Sequence, residues 1–214
     1  MTDHHDASPS HSEPSRVVEV ERKYDVDDST PLPAWVGIPG VDAVSPGEVR
    51  ELDARYFDTA DGRLSRAGVA LRRRTGGPDA GWHIKGPRDG DGRLEIGWPL
   101  GDDDSIPDAV TEAVSRWATG RLTPLARIEN TRTAYLLTGA AGVIAEFVDD
   151  RVRATDLRHD VQREWREWEL ELGPAAPADA AGRDALFDAA ERVISDAGGR
   201  DASSGSKLAR ALGF

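Results

Sequence analysis

The chain has 214 residues, a formal net charge of −12 and 38% apolar side chains, enough for one domain with a sizeable core. Such acidity argues against nucleic acid or an anionic membrane as a bulk partner, because both are met by basic patches; a local cluster of Arg and Lys can still hold an anionic ligand. There is no cysteine, which excludes disulfides, thiolate metal sites and cysteine nucleophiles.

The N-terminus, MTDHHDASPSHSEPS, is polar and has the form of neither a signal peptide nor a spanning helix. No apolar run in the chain approaches the ~18 residues that a spanning helix needs. Residues 1–15 read as a disordered tail in which His4, His5 and His11 have no frame to hold a metal. Residues 16–214 carry no repeat and no long linker and read as a single domain. With the lack of cysteine, this predicts a cytoplasmic protein.

Short alternating or β-rich runs then follow at 17–26, 49–58, 69–75, 81–86, 93–100, 126–137, 142–148, 151–157 and 163–172. Turn-forming clusters such as GGPDAG, GPRDGDG and TGAAG separate them. Two stretches have helical periodicity instead. Residues 107–119 open on a proline and place Val110, Val114 and Trp117 on one stripe. Residues 177–197 place Leu186, Ala190, Val193 and Ile194 on another, and a short helix is predicted from near Ser206. About eight strands with few helices predict an α+β, mainly β, protein: an antiparallel sheet closed into a barrel, which removes its edges.

The polarity of the alternation says more than the number of strands. A strand sends successive side chains to opposite faces. In VVEVERKYDV, Glu19, Glu21 and Lys23 therefore share a face against Val18, Val20 and Arg22. Arg72 and Arg74 share a face opposite Leu71 and Arg73. His83 and Lys85 oppose Trp82 and Ile84, and Arg93 and Glu95 oppose Leu94 and Ile96. Asn130 and Arg132 go together. Glu167, Glu169 and Glu171 line up against Trp168, Leu170 and Leu172. Any one of these strands alone reads as a solvated sheet face. Together, with apolar faces turned outward under helices, they predict a barrel whose bore is lined by both signs of charge. Such a bore is costly to desolvate empty and suits water, metal ions and a multiply charged ligand.

These residues resemble the CYTH superfamily, the triphosphate tunnel metalloenzymes. Glu19-x-Glu21-x-Lys23 resembles the family's N-terminal signature. YFDT (Tyr56 to Thr59, with Leu64 and Gly68), LRRRTGG, WHIKGP, RLE, Asn130-x-Arg132, AEFVDD, EWELEL and GSK follow in the family's order, over roughly residues 16–214. The wording of LRRRTGG and WHIKGP is most similar to bacterial CYTH domains that often precede a CHAD domain, and the chain reads as a stand-alone version.

The resemblance implies an eight-stranded antiparallel barrel forming a tunnel, braced by helices. It implies a metal-dependent hydrolase of triphosphates, foremost inorganic triphosphatase, with thiamine triphosphate or nucleoside triphosphates as other substrates. A class IV-type adenylate cyclase and a non-catalytic polyphosphate- or nucleotide-binding module are the alternatives. The implied cofactor is Mg²⁺ or Mn²⁺ and the partner a small-molecule triphosphate, bound by a monomer or homodimer with no membrane or nucleic acid involved. Arg72, Arg74, Lys85 and Arg132 are the expected phosphate contacts, Arg doing so bidentately, with Lys23 and Lys207 joining them. Lys207 lies in SGSK at a predicted helix start. Hard oxygen ligands for the cation would come from Glu19 and Glu21, with Glu169 and either Glu167 or Glu171. A second ion would follow two-metal logic for the attacking water. One of Asp149 and Asp150 is expected to face the tunnel, with the register left open. Glu19, Glu21, Lys23 and Lys85 are the expected catalytic set, with Glu95 and Arg93 in support: Glu95 balances nearby bases. Arg127 reads as an external salt-bridge partner, and Tyr56 and Phe57 as packing. His83 and His159 name no general base.

Overall fold

The computed structural model describes residues 13–90 and 92–214; the expected tail up to residue 12, with its histidines, lies outside them. Among the described residues ten strands form in chain order: β1 (Ser15–Val26), β2 (Ala43–Val44), β3 (Glu48–Thr59), β4 (Ala70–Thr75), β5 (Gly81–Asp89), β6 (Gly92–Trp98), β7 (Leu122–Gly139), β8 (Gly142–Asp156), β9 (Val161–Leu172) and β10 (Arg200–Asp201). The helices are α1 (Arg63–Arg66), α2 (Asp108–Val114), α3 (Ala180–Ala197) and α4 (Lys207–Leu212).

Eight of the strands close into an antiparallel barrel in the order β1-β6-β5-β4-β3-β7-β8-β9, with β9 returning to β1. β1 makes the closure by changing partners midway. Its first half pairs with β6, as far as Val20↔Gly92. Its second half pairs with β9, from Glu21↔Glu171 to Val26↔Arg166. The two-residue strands β2 and β10 pair with β7 and β1.

The segments 142–148 and 151–157 are one strand, β8, running straight through Asp149 and Asp150. The Asp-Asp pair reads locally as a breaker, but tertiary partners satisfy both carboxylates. Asp149 points out of the barrel to Arg166, 2.7 Å away, and to the Trp168 indole. Asp150 points in.

The apolar faces of the strands do turn outward. α3 covers one part of the wall, packing Leu186, Phe187, Ala190 and Ile194 against Phe147, Trp168 and Leu170. Asp179 caps α3 by accepting from the Gly182 N–H, and Gly198 ends it at φ 106°, a conformation that suits glycine. α2 covers another part, with Val110 and Val114 on Leu71, Trp82 and Ile84. Burying side chains of this kind contributes roughly 1.5–3 kcal/mol each. Val18 departs from the pattern: it is 64% exposed, because α3 reaches Val20 but leaves the start of β1 uncovered.

Not every inward position is charged. Ala54, Tyr56, Ile128, Val152 and Ala154 form an apolar part of the inner wall, against which α4 packs Leu208, Ala211 and Leu212, with Ala54 beside Arg74 and Tyr56 beside Arg72. Ser206 caps α4 by accepting from the Ala209 N–H, and Arg210 anchors it to Asp25 of β1. The charged bore is as expected, and α4 adds an apolar cover to part of it; Tyr56 packs there while Phe57 packs on the outer face. No helix among the described residues is long and apolar enough to cross a membrane.

Candidate functional site: a tunnel lined by both signs of charge

The charged part of the bore is lined by Glu19, Glu21 and Lys23 of β1, Arg72 and Arg74 of β4, Lys85 of β5, Arg93 of β6, Asn130 and Arg132 of β7, Glu169 and Glu171 of β9, and Lys207 of α4. Strand parity brings them together: every one stands on the inward register of its strand, or on the helix that covers part of the bore.

Three groups can be distinguished by their ion pairs. The first is basic. Lys85 reaches Glu19 at 2.5 Å and Glu95 at 2.9 Å, and Arg72 reaches Glu95 at 3.4 Å. Glu95 also bonds the ring of His83. Burial works against its charge, but His83, Arg72 and Lys85 outweigh that and hold its carboxyl far below the usual range. Burial and Arg72 oppose the ammonium of Lys85, while Glu95, Glu19 and Glu21 more than restore it. Burial pushes the His83 pKa down. Arg93 spends its donors on the carbonyls of Gly86 and Gly68.

The second group surrounds Lys207. Its ammonium lies 2.8 Å from Asp150, 2.5 Å from Glu167 and 2.8 Å from Glu169. Arg132 grips Asp150 with two nitrogens at 2.8 and 2.7 Å and Glu169 with one at 2.8 Å. Lys23 also pairs with Glu169. Ligand oxygens of Asp150, Glu167 and Glu169 lie within 4.8 Å of one another, a spacing a cation could bridge; in this arrangement the lysine does so. Asp149 lies outside this group, on the outer face.

The third group is acidic. Glu21 and Glu171 are directly opposed across β1 and β9, and Glu19 stands one inward position along. Lys23 serves Glu21 at 3.0 Å, but Glu171 has no ion-pair partner among the described residues. Burial, then the negative charge of Glu19, push its pKa up to about 7. Burial also raises Glu19, Lys85 notwithstanding. Glu19, Glu21 and Glu171 offer hard oxygen donors, with little compensating charge, to one wall of the bore, but among the described residues only Asp150, Glu167 and Glu169 bring three ligand oxygens within 4.8 Å of one another. Glu19, Glu21 and Glu171 would hold Mg²⁺ or Mn²⁺ by drawing together around it.

Arg127 stays outside the barrel, bonded to Asp53 and Glu129. Some bore residues were not picked out in the sequence, among them Arg50 and Glu146, which stand opposite Arg132 and Glu171 and pair with each other. Asp79, in the loop between β4 and β5, pairs with Arg74 and lines the site; a loop has no period to betray which way a side chain turns.

A family model of the CYTH domain matches residues 18–211. Uncharacterized proteins from two strains of Mycobacterium tuberculosis are 40% identical over 94% of this chain, which spans 41% of their length. Among solved structures, a candidate adenylate cyclase of Bacillus halodurans superposes with a TM-score of 0.62 at 16% identity, covering 91% of this chain and 97% of that one. A candidate adenylyl cyclase from Hippeastrum, described as revealing a dominant triphosphatase activity, superposes with a TM-score of 0.55 at 14% identity, covering 91% and 94%.

Proposed function

The chain belongs to the CYTH domain family, and from that premise we propose that it is a Mg²⁺- or Mn²⁺-dependent triphosphatase whose foremost substrate is inorganic tripolyphosphate. The observation that carries the reading is that Lys85, Arg72, Arg74 and Arg132 line the same bore as Glu19, Glu21 and Glu171.

A linear triphosphate needs both. Phosphoryl transfer spreads charge over the oxygens of the transferred group, so catalysis is mostly positioning and electrostatic stabilisation. Arg72 binds phosphate oxygens in a fixed orientation, with Arg74 adding positive charge beyond it, and Arg132 binds them while Asp150 holds its guanidinium plane. Lys85 and Lys23 supply point charges to the chain of phosphates. A divalent ion held by Glu19, Glu21 and Glu171 would neutralise substrate charge and favour hydroxide over water. α4 covers part of the bore with apolar side chains, and a lower local dielectric strengthens each charge contact inside.

Incubation of the purified protein with tripolyphosphate and each metal tests the proposal. Phosphate should be released, and a Glu19→Ala, Glu21→Ala double variant should release at least ~100-fold less, by analogy with loss of a single stabilising group. Release no greater than that of the double variant overturns the reading. ATP in the same assay separates a cyclase, which would give pyrophosphate and a cyclic nucleotide.

A further inference from the structure

The cations of β4 and β5 form a ladder with an acid at its end. In register, Lys85 faces Ala70, His83 faces Arg72 and Gly81 faces Arg74, so positive side chains follow one another toward the β4–β5 loop. Arg74 is buried, with 7% of its side chain exposed, and is paired with Asp79, whose own side chain is 52% exposed. The carboxylate therefore lies on the solvent side of the pair. Burial and the neighbouring guanidiniums of Arg72 and Arg132 push the Arg74 pKa down to about 9, against which Glu95 and Tyr56 work.

The loop is built to hold that carboxylate in place. Gly76 and Gly77 turn it with φ of 77° and 74°. A Cβ on Gly76 would stand 1.9 Å from the Glu51 carbonyl oxygen and one on Gly77 2.8 Å from Leu52, so the loop lies hard against β3. The Asp79 carbonyl is bonded at 2.9 Å to the His83 ring, whose other nitrogen contacts Glu95. Main chain and side chain of the same residue are thus tied to the anion-binding residues.

We propose that Asp79 is an anionic stop that sets the length of phosphate chain the bore accepts, an inference that rests on the triphosphatase reading above. Its carboxylate occupies on Arg74 the place of a phosphate oxygen. A chain that ends at Arg72 leaves the pair intact. A chain that reaches Arg74 must displace the carboxylate, and one that extends further brings another negative group against it. Discrimination by a repulsive element of this kind is how a site rejects a ligand that shares every attractive contact with the preferred one. Linear polyphosphates beyond three units are therefore disfavoured, while an uncharged group at the same place meets no such repulsion.

The test compares wild type, Asp79→Asn and Asp79→Glu with tripolyphosphate and tetrapolyphosphate, both by kcat/KM with Mg²⁺ and by calorimetric Kd. Wild type should prefer tripolyphosphate. Asp79→Asn should shrink that preference at least tenfold in both measurements, and Asp79→Glu should keep it. An unchanged preference in Asp79→Asn, or none in wild type, overturns the inference, since an ion pair that merely ties down the loop would shift the melting temperature and leave the ratio alone. Absence of turnover in wild type refutes the triphosphatase reading instead, and the Kd ratio then still decides whether Asp79 sorts chains by length. Binding of neither chain overturns both.

Discussion

Lys85 and Glu19 meet at 2.5 Å although their strands, β5 and β1, are not neighbours: β6 lies between them. The contact crosses the concave face of the wall, a path open only to side chains that point into the bore. It sets Lys85 among the inward-facing charges rather than in the apolar core.

Replacement of Lys85 by Ala should accordingly lower kcat/KM for tripolyphosphate by about 10²–10³-fold, the size of effect seen when one preorganised charge-stabilising group is lost. The fold should persist, because Glu95 keeps Arg72 and His83 and Glu19, already raised in pKa, can take a proton. Trp168→Ala is the contrast. Trp168 is wholly buried under α3, and its truncation should cost about 3–5 kcal/mol. Melting temperatures by circular dichroism distinguish the two; a Lys85→Ala protein as unstable as Trp168→Ala would place the lysine in the structural core.

Lys207 should behave differently from Lys85. Its ammonium is shared by Asp150, Glu167 and Glu169, and stripping the cation from buried carboxylates costs ~3–5 kcal/mol. Arg132 and Lys23 still serve Asp150 and Glu169, which points to the lower end. Lys207→Met should melt roughly 6–12 °C below wild type for a domain of this size. The deficit should narrow toward pH 4, as Asp150 and Glu169, deprived of the cation that lowers their pKa values, become protonated. A deficit independent of pH would assign it to lost packing of α4.

Glu171 gives a pH dependence of opposite sense to ordinary acid denaturation. Its pKa is about 7 in the folded protein against 4.5 for the free group, so folding binds a proton between these values and stability falls as pH rises through that window. The penalty is absent below the lower value and complete above the upper one. In metal-free protein, Glu171→Gln should therefore melt a few degrees above wild type at pH 8, a gain of order 1 kcal/mol, and level with it at pH 4. Saturating Mg²⁺ should raise the wild-type melting temperature more at pH 8 than at pH 5.5 and do less for the variant. Equal melting of the two proteins at pH 8 without metal would mean that Glu171 is not destabilised by its neighbours.

Much of this molecule was legible in its sequence because barrel strands have a period of two and the charges respect it. Parity alone sorted Arg72 from Arg73, Lys85 from Ile84 and Glu169 from Trp168. Parity failed where the chain is not periodic or where its context is tertiary. It placed a break at Asp149-Asp150 because local propensity cannot see that Arg166 waits outside the wall and Arg132 inside it. It missed α1, a single turn whose backbone N–H groups at Leu64 and Ser65 are satisfied by the buried Asp58. It gave α4 a correct start near Ser206 but not its place against the inner wall, since a short apolar stripe does not say what it will be packed against. The three-carboxylate surround of Lys207 follows from that place and was hidden with it.

The partner change of β1 has a consequence for how the protein comes into being. Glu19 is fixed by β6, whereas Glu21 and Lys23 are fixed by β9, a strand made only after most of the chain has been synthesised. Closing a contact of such long sequence separation is slow, because the loop entropy is lost before the contact rewards it. A chain interrupted before residue 161 leaves β1 and β8 with open edges, and its inward charges face solvent rather than each other. The acidic group that would hold a metal is complete only once β9 has paired with β1, so affinity for a divalent ion would report closure of the barrel and not the presence of the N-terminal signature.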